Sequence, residues 1–221
     1  MRYQLLTSIL LVAISITACK QKDQGRENDN STLAVKLPSE PVDTAKVKDK
    51  IGGQYHSDLI NWTISTPEGW QILDQAQLEA YDQQAEALLS PEQEGEERPK
   101  VEYLIAFQKD DYNQFSSMLE PYTERYPGEY KATFQDIKNN IYTAFRVQNV
   151  NVDTSSGVDT FSGIPFLRYH TAIYDQNFVH IMNQVMYSTM YKGYDFSINI
   201  TYRGDENFKF MKALLDSSKF E

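Results

Sequence analysis

Basic residues are scarce in this sequence, and the shortage excludes whole classes of partner. The 221 residues include 21 Lys and Arg against 31 Asp and Glu, which gives a formal net charge of -10. Proteins that bind nucleic acids neutralise phosphates with Lys and Arg, usually clustered along one face. No such cluster with interleaved aromatic residues occurs here. We therefore expect no nucleic-acid partner and no electrostatic attraction to anionic lipid headgroups.

The sequence also lacks the short motifs that commonly carry chemistry. There is no G-x-S-x-G nucleophile elbow, no G-x-G-x-x-G turn and no phosphate-binding loop. The glutamates of segment 92–97 lack the alternating Asp and Asn ligands of a calcium loop, so a solvated acidic loop is expected there. A hydrolase would need a convergent set of titratable groups, and none is evident. We expect a protein that is not an enzyme and uses no cofactor or metal.

Cysteine occurs once, at Cys19, so the chain cannot close an internal disulfide. Before it, residues 5–18 form an uncharged, mostly apolar run of about 14 residues. A helix that crosses a bilayer needs about 20 such residues, so this run is too short to be a stable membrane span. A basic residue, Arg2, precedes it. A basic start followed by a short apolar stretch is typical of a secretory signal peptide.

The run ends in Ile16-Thr17-Ala18-Cys19, which resembles the lipobox of bacterial lipoproteins. The resemblance implies cleavage before Cys19 and lipidation of its sulfur by diacylglycerol, with acyl chains such as palmitate anchoring the protein in a membrane. It also implies a location in the bacterial cell envelope, with the outer membrane favoured. The residues that follow, 21–23, resemble a surface-export tag, so a surface-facing and a periplasm-facing anchor both stay open.

The composition divides the chain into three parts. Residues 1–18 are expected to be the lipoprotein signal peptide. Residues 19–52 contain no aromatic side chain and are rich in polar residues, so they are predicted to be a flexible tether. Aromatic residues are frequent from there to the end, and 53–221 is predicted to be a single globular domain, large enough to fold without disulfides.

Hydrophobic patterns within this domain predict strands and helices in alternation. Trp62 and Ile64 alternate with polar residues, as in a half-buried strand, and Asp74 is placed to cap a helix. Thr133 is predicted to cap a second helix. Its apolar stripe would comprise Phe134, Ile137, Ile141 and Phe145. A closing helix after Asp205 would turn Phe208, Met211 and Leu215 inward.

Long hairpins dominate the C-terminal half. In residues 194–202, Tyr, Phe and Ile alternate with Asp, Ser, Asn and Thr, which predicts an antiparallel strand with one buried and one polar face. Strands are also predicted at 147–152, near Val158 and over 164–174, followed by a hairpin that turns at Lys192-Gly193. The fold class is therefore predicted to be α+β, an antiparallel β-sheet flanked by helices.

Three segments resemble the PsbP-like family, which includes bacterial lipoproteins of the DcrB type. They are "ISTPEGWQIL" at 64–73, "SGIPFLRYH" at 162–170 and the ending "YDFSINITYRGDENFKFMKALLDSSKF" at 194–220. The resemblance covers most of 61–220 and concerns packing residues rather than catalytic signatures. It implies a three-layer α/β/α sandwich that serves mainly as a non-catalytic accessory or binding module.

One polar patch is a candidate binding site. His170 and His180 lie on adjacent predicted strands, and Arg168 shares the face of His170 because strand side chains alternate. A metal would want a third ligand, which is not evident, so a polar binding patch and ordinary sheet residues are the interpretations left open.

Two functions follow from these observations. The first is a lipid-anchored accessory module that binds another envelope protein, with the membrane contacted through the anchor on Cys19. The alternative is a small-ligand or glycan-binding surface lipoprotein, with its site at Arg168, His170 and His180. Exposed tyrosines at one hairpin end are a second possible place for that site: Tyr187, Tyr191 and Tyr194.

Overall fold

The computed structural model describes residues 51–80 and 101–221. The predicted signal peptide, the lipidation residue Cys19, the tether up to residue 50 and the acidic segment 92–97 lie outside the described residues. The first strand, β1, begins at Ile51. The last two residues of the segment predicted as a tether therefore belong to a strand.

The described chain contains ten strands and three helices. Helix α1 occupies residues 75–80, α2 spans Glu129–Val147 and α3 spans Asp205–Asp216. The strands are β1 Ile51–Ser57, β2 Trp62–Pro67, β3 Gln71–Ile72, β4 Glu102–Asp110, β5 Asn113–Pro121, β6 Asn151–Phe161, β7 Ile164–Tyr174, β8 His180–Tyr191, β9 Tyr194–Tyr202 and β10 Lys219–Phe220.

All described strand pairs are antiparallel, and they form two sheets. The larger sheet has seven strands in the order β3-β4-β5-β9-β8-β7-β6, and the smaller has the order β1-β2-β10. The β8–β9 hairpin closes through Lys192 and Gly193, which both have positive φ angles, of 49° and 83°. Two such residues form the turn whose twist matches that of the flanking strands, so the predicted turn is confirmed.

One face of the large sheet packs against α3 and the small sheet, and this is the main core. Trp62 of β2 is fully buried and meets Phe196 of β9 edge-on, with ring centroids 4.9 Å apart. Phe107 and Phe115 stack with centroids 4.6 Å apart. Helix α3 contributes five buried apolar side chains, among them the three that the sequence predicted: Phe208, Met211, Ala213, Leu214 and Leu215.

Helix α2 packs on the opposite face, and its predicted apolar stripe is confirmed. The stripe contacts Tyr169 and Ile173 of β7 and Met182 and Met186 of β8. Its members are all buried: Phe134, Ile137, Ile141 and Phe145. The α2 side and the α3 side of the large sheet are named here after these two helices.

The start predicted for α2 is wrong. The helix begins at Glu129, so Thr133 lies inside it rather than at its cap. Gly128 precedes it with a φ of 89°, a conformation that glycine adopts without the steric cost of a side chain. The Glu124 carboxylate accepts a hydrogen bond of 3.0 Å from the Tyr130 N–H and so satisfies one free amide of the first turn. No cap at Thr133 is needed.

The two strands predicted at 147–152 and near Val158 are also corrected. Helix α2 continues to Val147, and a single long strand, β6, then runs from Asn151 to Phe161. The antiparallel mixed α/β character is confirmed. The layer on the α3 side also contains the small sheet, so the finer assignment to a three-layer α/β/α sandwich stays a prediction.

Candidate functional site

The polar face of β9 lies on the α2 side and is largely covered. The sequence predicts an apolar and a polar face for this strand, and the structure places the apolar one in the main core. On the polar face Asp195 is 3% exposed and Thr201 is 5% exposed. Neighbouring strands continue this face, so a stripe of polar side chains crosses the sheet beneath and beside α2. It has a neutral end and an acidic end.

The neutral end is a groove formed by four strands. Its empty volume, including its open mouth, is about 440 Å³. Six carboxamide or aliphatic hydroxyl side chains line it: Gln114, Ser116, Thr171, Gln184, Asn199 and Thr201. The remaining lining residues are Ile141, Tyr169, Val185, Met186 and Ile200. None of these carries a charge, although 24% of the chain is charged.

Strand pairing brings these polar side chains together. Ser116 of β5 pairs with Asn199 of β9, and Gln184 of β8 pairs with both Thr201 and Thr171 on its two neighbours. Because all four strands, β5, β9, β8 and β7, lie inside the sheet, their backbone groups bond to neighbours on both sides. Recognition in the groove therefore depends on side chains.

Two buried polar atoms in this groove have no hydrogen-bond partner within residues 51–80 and 101–221. They are Oε1 of Gln114 and Oγ of Ser116, on side chains that are 6% and 2% exposed. The amide nitrogen of Gln114 is occupied, since it donates to the Asp111 carbonyl at 3.3 Å and to Gln108 Oε1 at 3.4 Å. A buried polar group without a partner costs about 1–3 kcal/mol, so such atoms call for an explanation.

At the acidic end, the Asp195 carboxylate accepts hydrogen bonds from three hydroxyl groups. The distances to Oδ1 are 2.7 Å from Ser188, 2.9 Å from Tyr130 and 3.3 Å from Ser197. Burial raises the pKa of Asp195, whereas these hydrogen bonds lower it. The pKa of Tyr130 is raised by burial and by the Asp195 charge. Oδ1 of the buried carboxylate is thus held by three hydroxyl groups.

Glu120 is the directly opposite neighbour of Asp195 on β5. Its side chain is 9% exposed, and burial together with the nearby Asp195 charge raises its pKa to about 7. An acid with this pKa changes charge near neutral pH. The sequence did not predict this pair, because Glu120 is one of many acidic residues and its partner lies 75 positions further along the chain.

The structure separates the predicted patch of Arg168, His170 and His180. His170 is 1% exposed on the α3 side, with Nε2 3.2 Å from Asn183 Oδ1 and 3.4 Å from the Tyr202 hydroxyl. Burial is the main cause that lowers the pKa of His170 to about 4, so the ring is neutral at pH 7. It lies among core side chains rather than in a cleft.

Arg168 and His180 have separate surroundings. Arg168 forms an ion pair of 2.7 Å with Asp159 on β6. His180 is exposed at the start of β8 and contacts the ring of Tyr174, its partner in register. His170 lies four residues from Tyr174 on β7, and Tyr174 is the register partner of His180. The two histidines are therefore on the order of 13 Å apart along the strand direction. The three side chains do not meet around one pocket.

The tyrosines that were expected to be exposed at one hairpin end are partly or fully buried. Tyr187 is fully buried, and Tyr191 and Tyr194 are partly buried against the main core. The aromatic residues of this hairpin end therefore act mainly as core side chains.

The opposite end of the sheet displays large apolar residues that the sequence reasoning missed. This end, called the loop end, comprises the β4–β5 and β7–β8 turns and the C-terminus of α2. Phe178 is 73% exposed and Val147 is 76% exposed. Tyr112 lies under the Arg203 guanidinium, whose central carbon is 3.6 Å from the ring centroid. The sequence signal was a short turn, Asp175 to Asn177, followed by two apolar residues.

The loop end is rigidly built around Asp175. Oδ1 of Asp175 accepts hydrogen bonds of 2.8 Å from the backbone N–H groups of Asn177 and Val179. The Asp175 backbone N–H donates to the Val179 carbonyl at 2.9 Å, and the Phe178 N–H donates to the Asp175 carbonyl at 3.1 Å. These bonds hold Phe178 at a φ of 60°.

Within 51–80 and 101–221, no three His, Cys, Asp or Glu side chains are grouped in a way that could hold a metal ion. In the same residues, no helix is long and apolar enough to cross a bilayer.

The likeness of this chain to known proteins lies in its fold. No family model matches the sequence, and no curated protein matches it. The fold is similar to the solution structure of cyanobacterial PsbP (CyanoP) from Synechocystis sp. PCC 6803, with a TM-score of 0.49 and 10% sequence identity. The match covers 76% of this chain and 91% of that protein. At this identity and TM-score, the likeness carries no argument about function.

Proposed function

We propose that this chain is a lipid-anchored protein of the bacterial cell envelope that binds another envelope protein and catalyses no reaction of its own. The anchor would be the Cys19 sulfur, and the outer membrane is the favoured location. The folded domain would be PsbP-like, in the three-layer arrangement of the DcrB type. The lipobox at 16–19 supports the anchor. The loop end supports the binding function.

The observation that carries the binding function is the conformation of Phe178. A bulky residue with positive φ is an outlier, and the left-handed conformation costs roughly 1–2 kcal/mol. Burial of the side chain does not offset this cost. The Phe178 ring is 73% exposed, and the next residue, Val179, is 61% exposed. Local strain of this kind concentrates at functional sites. A turn that holds an aromatic ring in solvent is organised for contact with a partner.

The composition around Phe178 is that of a protein interface. Aromatic residues and arginine are enriched among the residues that dominate binding energies. The loop end provides Tyr112 stacked under Arg203, and Arg203 Nε donates to the Ile181 carbonyl at 2.8 Å. The guanidinium is therefore fixed before any partner arrives, which lowers the entropy lost on binding. We propose that the partner offers a shallow apolar pocket to Phe178.

The arrangement at the acidic end of the polar stripe supports the absence of catalysis. Asp195 is 3% exposed and bonds to three hydroxyl groups. A carboxylate that is buried to this extent is out of reach of a substrate in solvent. Its role is to hold α2 on the sheet.

Crosslinking in intact cells, followed by purification and mass spectrometry, tests the proposed function. Phe178→Asn removes the ring but keeps the turn, since Asn tolerates positive φ. Tyr126→Asn is the matched control, because Tyr126 is also exposed, at 55%, but lies in the segment before α2 at the other end of the sheet. We expect an envelope protein that crosslinks to the wild type and to Tyr126→Asn but not to Phe178→Asn.

A third variant, Cys19→Ala, tests the anchor in the same experiment. We expect it to lose membrane association and to show reduced crosslinking. The absence of any reproducible partner, or equal crosslinking by Phe178→Asn and the wild type, would contradict the binding function. Unchanged membrane association of Cys19→Ala would contradict the anchor independently.

A further inference from the structure

We propose that the neutral groove on the α2 side is a binding site for a small uncharged saccharide, independent of the protein-binding loop end. The groove is open to solvent at its mouth, and its empty volume of about 440 Å³ includes that mouth. Six side chains with both hydrogen-bond donor and acceptor capacity converge on it.

The two partnerless atoms show that the groove is built for a polar occupant. Ser116 Oγ and Gln114 Oε1 lie on side chains at least nine-tenths buried, and neither has a partner in the part of the chain that the structure describes. A sheet interior that served only packing would carry apolar side chains at these positions, because burying an unpaired polar group is costly. Ligand hydroxyl groups would donate to the Gln114 carbonyl and exchange hydrogen bonds with the Ser116 hydroxyl.

The absence of charge among the groove residues defines the class of ligand. An ionised ligand would lose its hydration in the groove without gaining a counter-charge, which is strongly unfavourable. Carboxamides and hydroxyls instead match the hydroxyl groups of a neutral sugar. Ile141 of α2, with Tyr169 and Met186, supplies an apolar wall for the C–H face of a sugar ring.

The sheet topology separates this site from a peptide-binding groove. Extended peptides are commonly bound by adding a strand to a free sheet edge. The strands that line this groove, β5, β9, β8 and β7, are all internal and have no free edge. Only side chains are available for recognition, and these favour a compact ligand with many hydroxyl groups.

Ligand-observed NMR titrations of the full-length protein test the site. The protein should be held in a polyoxyethylene detergent, which contains no sugar. The probes are glucose and N-acetylglucosamine, which are neutral, and glucuronate and glucosamine, which carry one charge of either sign. We expect saturable binding of at least one neutral sugar, at least tenfold tighter than its charged relatives. Absence of saturable binding by both neutral sugars, or equal binding of the charged ones, would overturn the proposal and leave water as the occupant.

Substitutions locate the binding in the groove. Ser116→Ala should weaken it about tenfold, as expected for the loss of one hydrogen bond of about 1.4 kcal/mol. It should not lower the melting temperature of the unliganded protein, because the removed hydroxyl has no partner. Thr160→Val, on an exposed position of the edge strand β6, should bind like the wild type.

A second substitution keeps the test decisive if Ser116→Ala fails to fold. Gln184→Leu, at a half-buried groove position, removes a carboxamide and fills space, and it should abolish binding. Wild-type affinity in a folded groove variant would overturn the proposal. Neither result depends on Phe178, so failure of this site and failure of the protein-binding function are distinguishable.

Discussion

The two faces of the seven-stranded sheet differ in what they bury. The α3 side buries a continuous aromatic core in which Trp62, Phe196 and Phe220 contact one another. The α2 side combines an apolar cluster under the helix with a stripe of buried amides, hydroxyls and two carboxyl groups. Residues that only stabilise a fold are expected to resemble the α3 side. The α2 side buries more polar side chains, and burying polar groups costs stability unless they are hydrogen-bonded.

The largest contrast between the faces should appear when one large side chain is removed from each. Trp62→Ala deletes a fully buried ring that joins the two sheets and should lower the free energy of unfolding by about 3–5 kcal/mol. Ile141→Ala, beside the groove, should cost only about 2 kcal/mol, the low end for such a change, because the site is already partly open. Urea denaturation at pH 7 measures both.

A second variant at Trp62 separates the effect of ring size from that of the ring nitrogen. The Trp62 ring nitrogen has no hydrogen-bond partner among the described residues, so Trp62→Phe should lower the free energy of unfolding much less than Trp62→Ala. Equal losses at Trp62 and Ile141 would remove the distinction between a close-packed and an open face.

The buried acid pair should make stability fall as pH rises. The Glu120 pKa is about 7 in the folded protein against 4.5 ordinarily, so the folded state binds the proton more tightly than the unfolded state. Its stabilising contribution is complete below pH 4.5 and is lost as pH rises through 7. Glu120→Gln should therefore raise the free energy of unfolding at pH 8 by up to about 3 kcal/mol and change little at pH 4.

Melting curves at pH 4, 6 and 8 measure this effect. The exchange of another glutamate, Glu102→Gln on β4, is the control, because Glu102 is exposed. A gain for Glu120→Gln that does not depend on pH would mean that charge at this position is not the cause.

The smallest of these effects concerns the contact of α2 with the sheet. Tyr130→Phe removes a hydroxyl that lies 2.9 Å from Asp195 and 2.5 Å from Ser188 Oγ. The loss should be about 1–2 kcal/mol, because Asp195 keeps its two serine donors. Tyr142→Phe on the same helix, at a position 44% exposed, should change the urea midpoint little. Equal midpoints for the two variants would show that the network adds no stability.

Much of the fold could be predicted from the sequence, because each helix or strand carries its own pattern of apolar and polar residues. The alternation in β9 predicted its two faces correctly, and the spacing of apolar residues in α2 predicted its buried stripe. The Asp74 cap is confirmed, since its Oδ1 accepts a hydrogen bond of 2.9 Å from the Gln77 N–H and its own N–H donates to Gln77 Oε1 at 3.0 Å. Such signals are local and need no knowledge of the rest of the chain.

The polar stripe and the loop end could not be predicted from the sequence, because they depend on contacts between distant segments. A strand pattern shows that Asp195 and Thr201 share a face, but it does not show that a helix 50 to 65 residues earlier covers that face. The raised Glu120 pKa depends equally on distant packing. The positive φ of Phe178 follows from the bonds of Asp175, and Phe itself gives no hint of it. The lipobox, the anchor and membership of the PsbP-like family stay predictions.

The outer strand β6 bears on how closely these molecules can crowd together. It ends the large sheet, so one row of its backbone groups has no neighbouring strand among the described residues. Such edges invite aggregation. Here Asp159 is tied to Arg168, whose guanidinium lies so close to Gly157 that a Cβ there would be 2.5 Å from a guanidinium nitrogen. Partly buried charge beside a free edge opposes the docking of a second sheet. Neighbouring copies at high concentration are thus expected to stay separate rather than join into fibres.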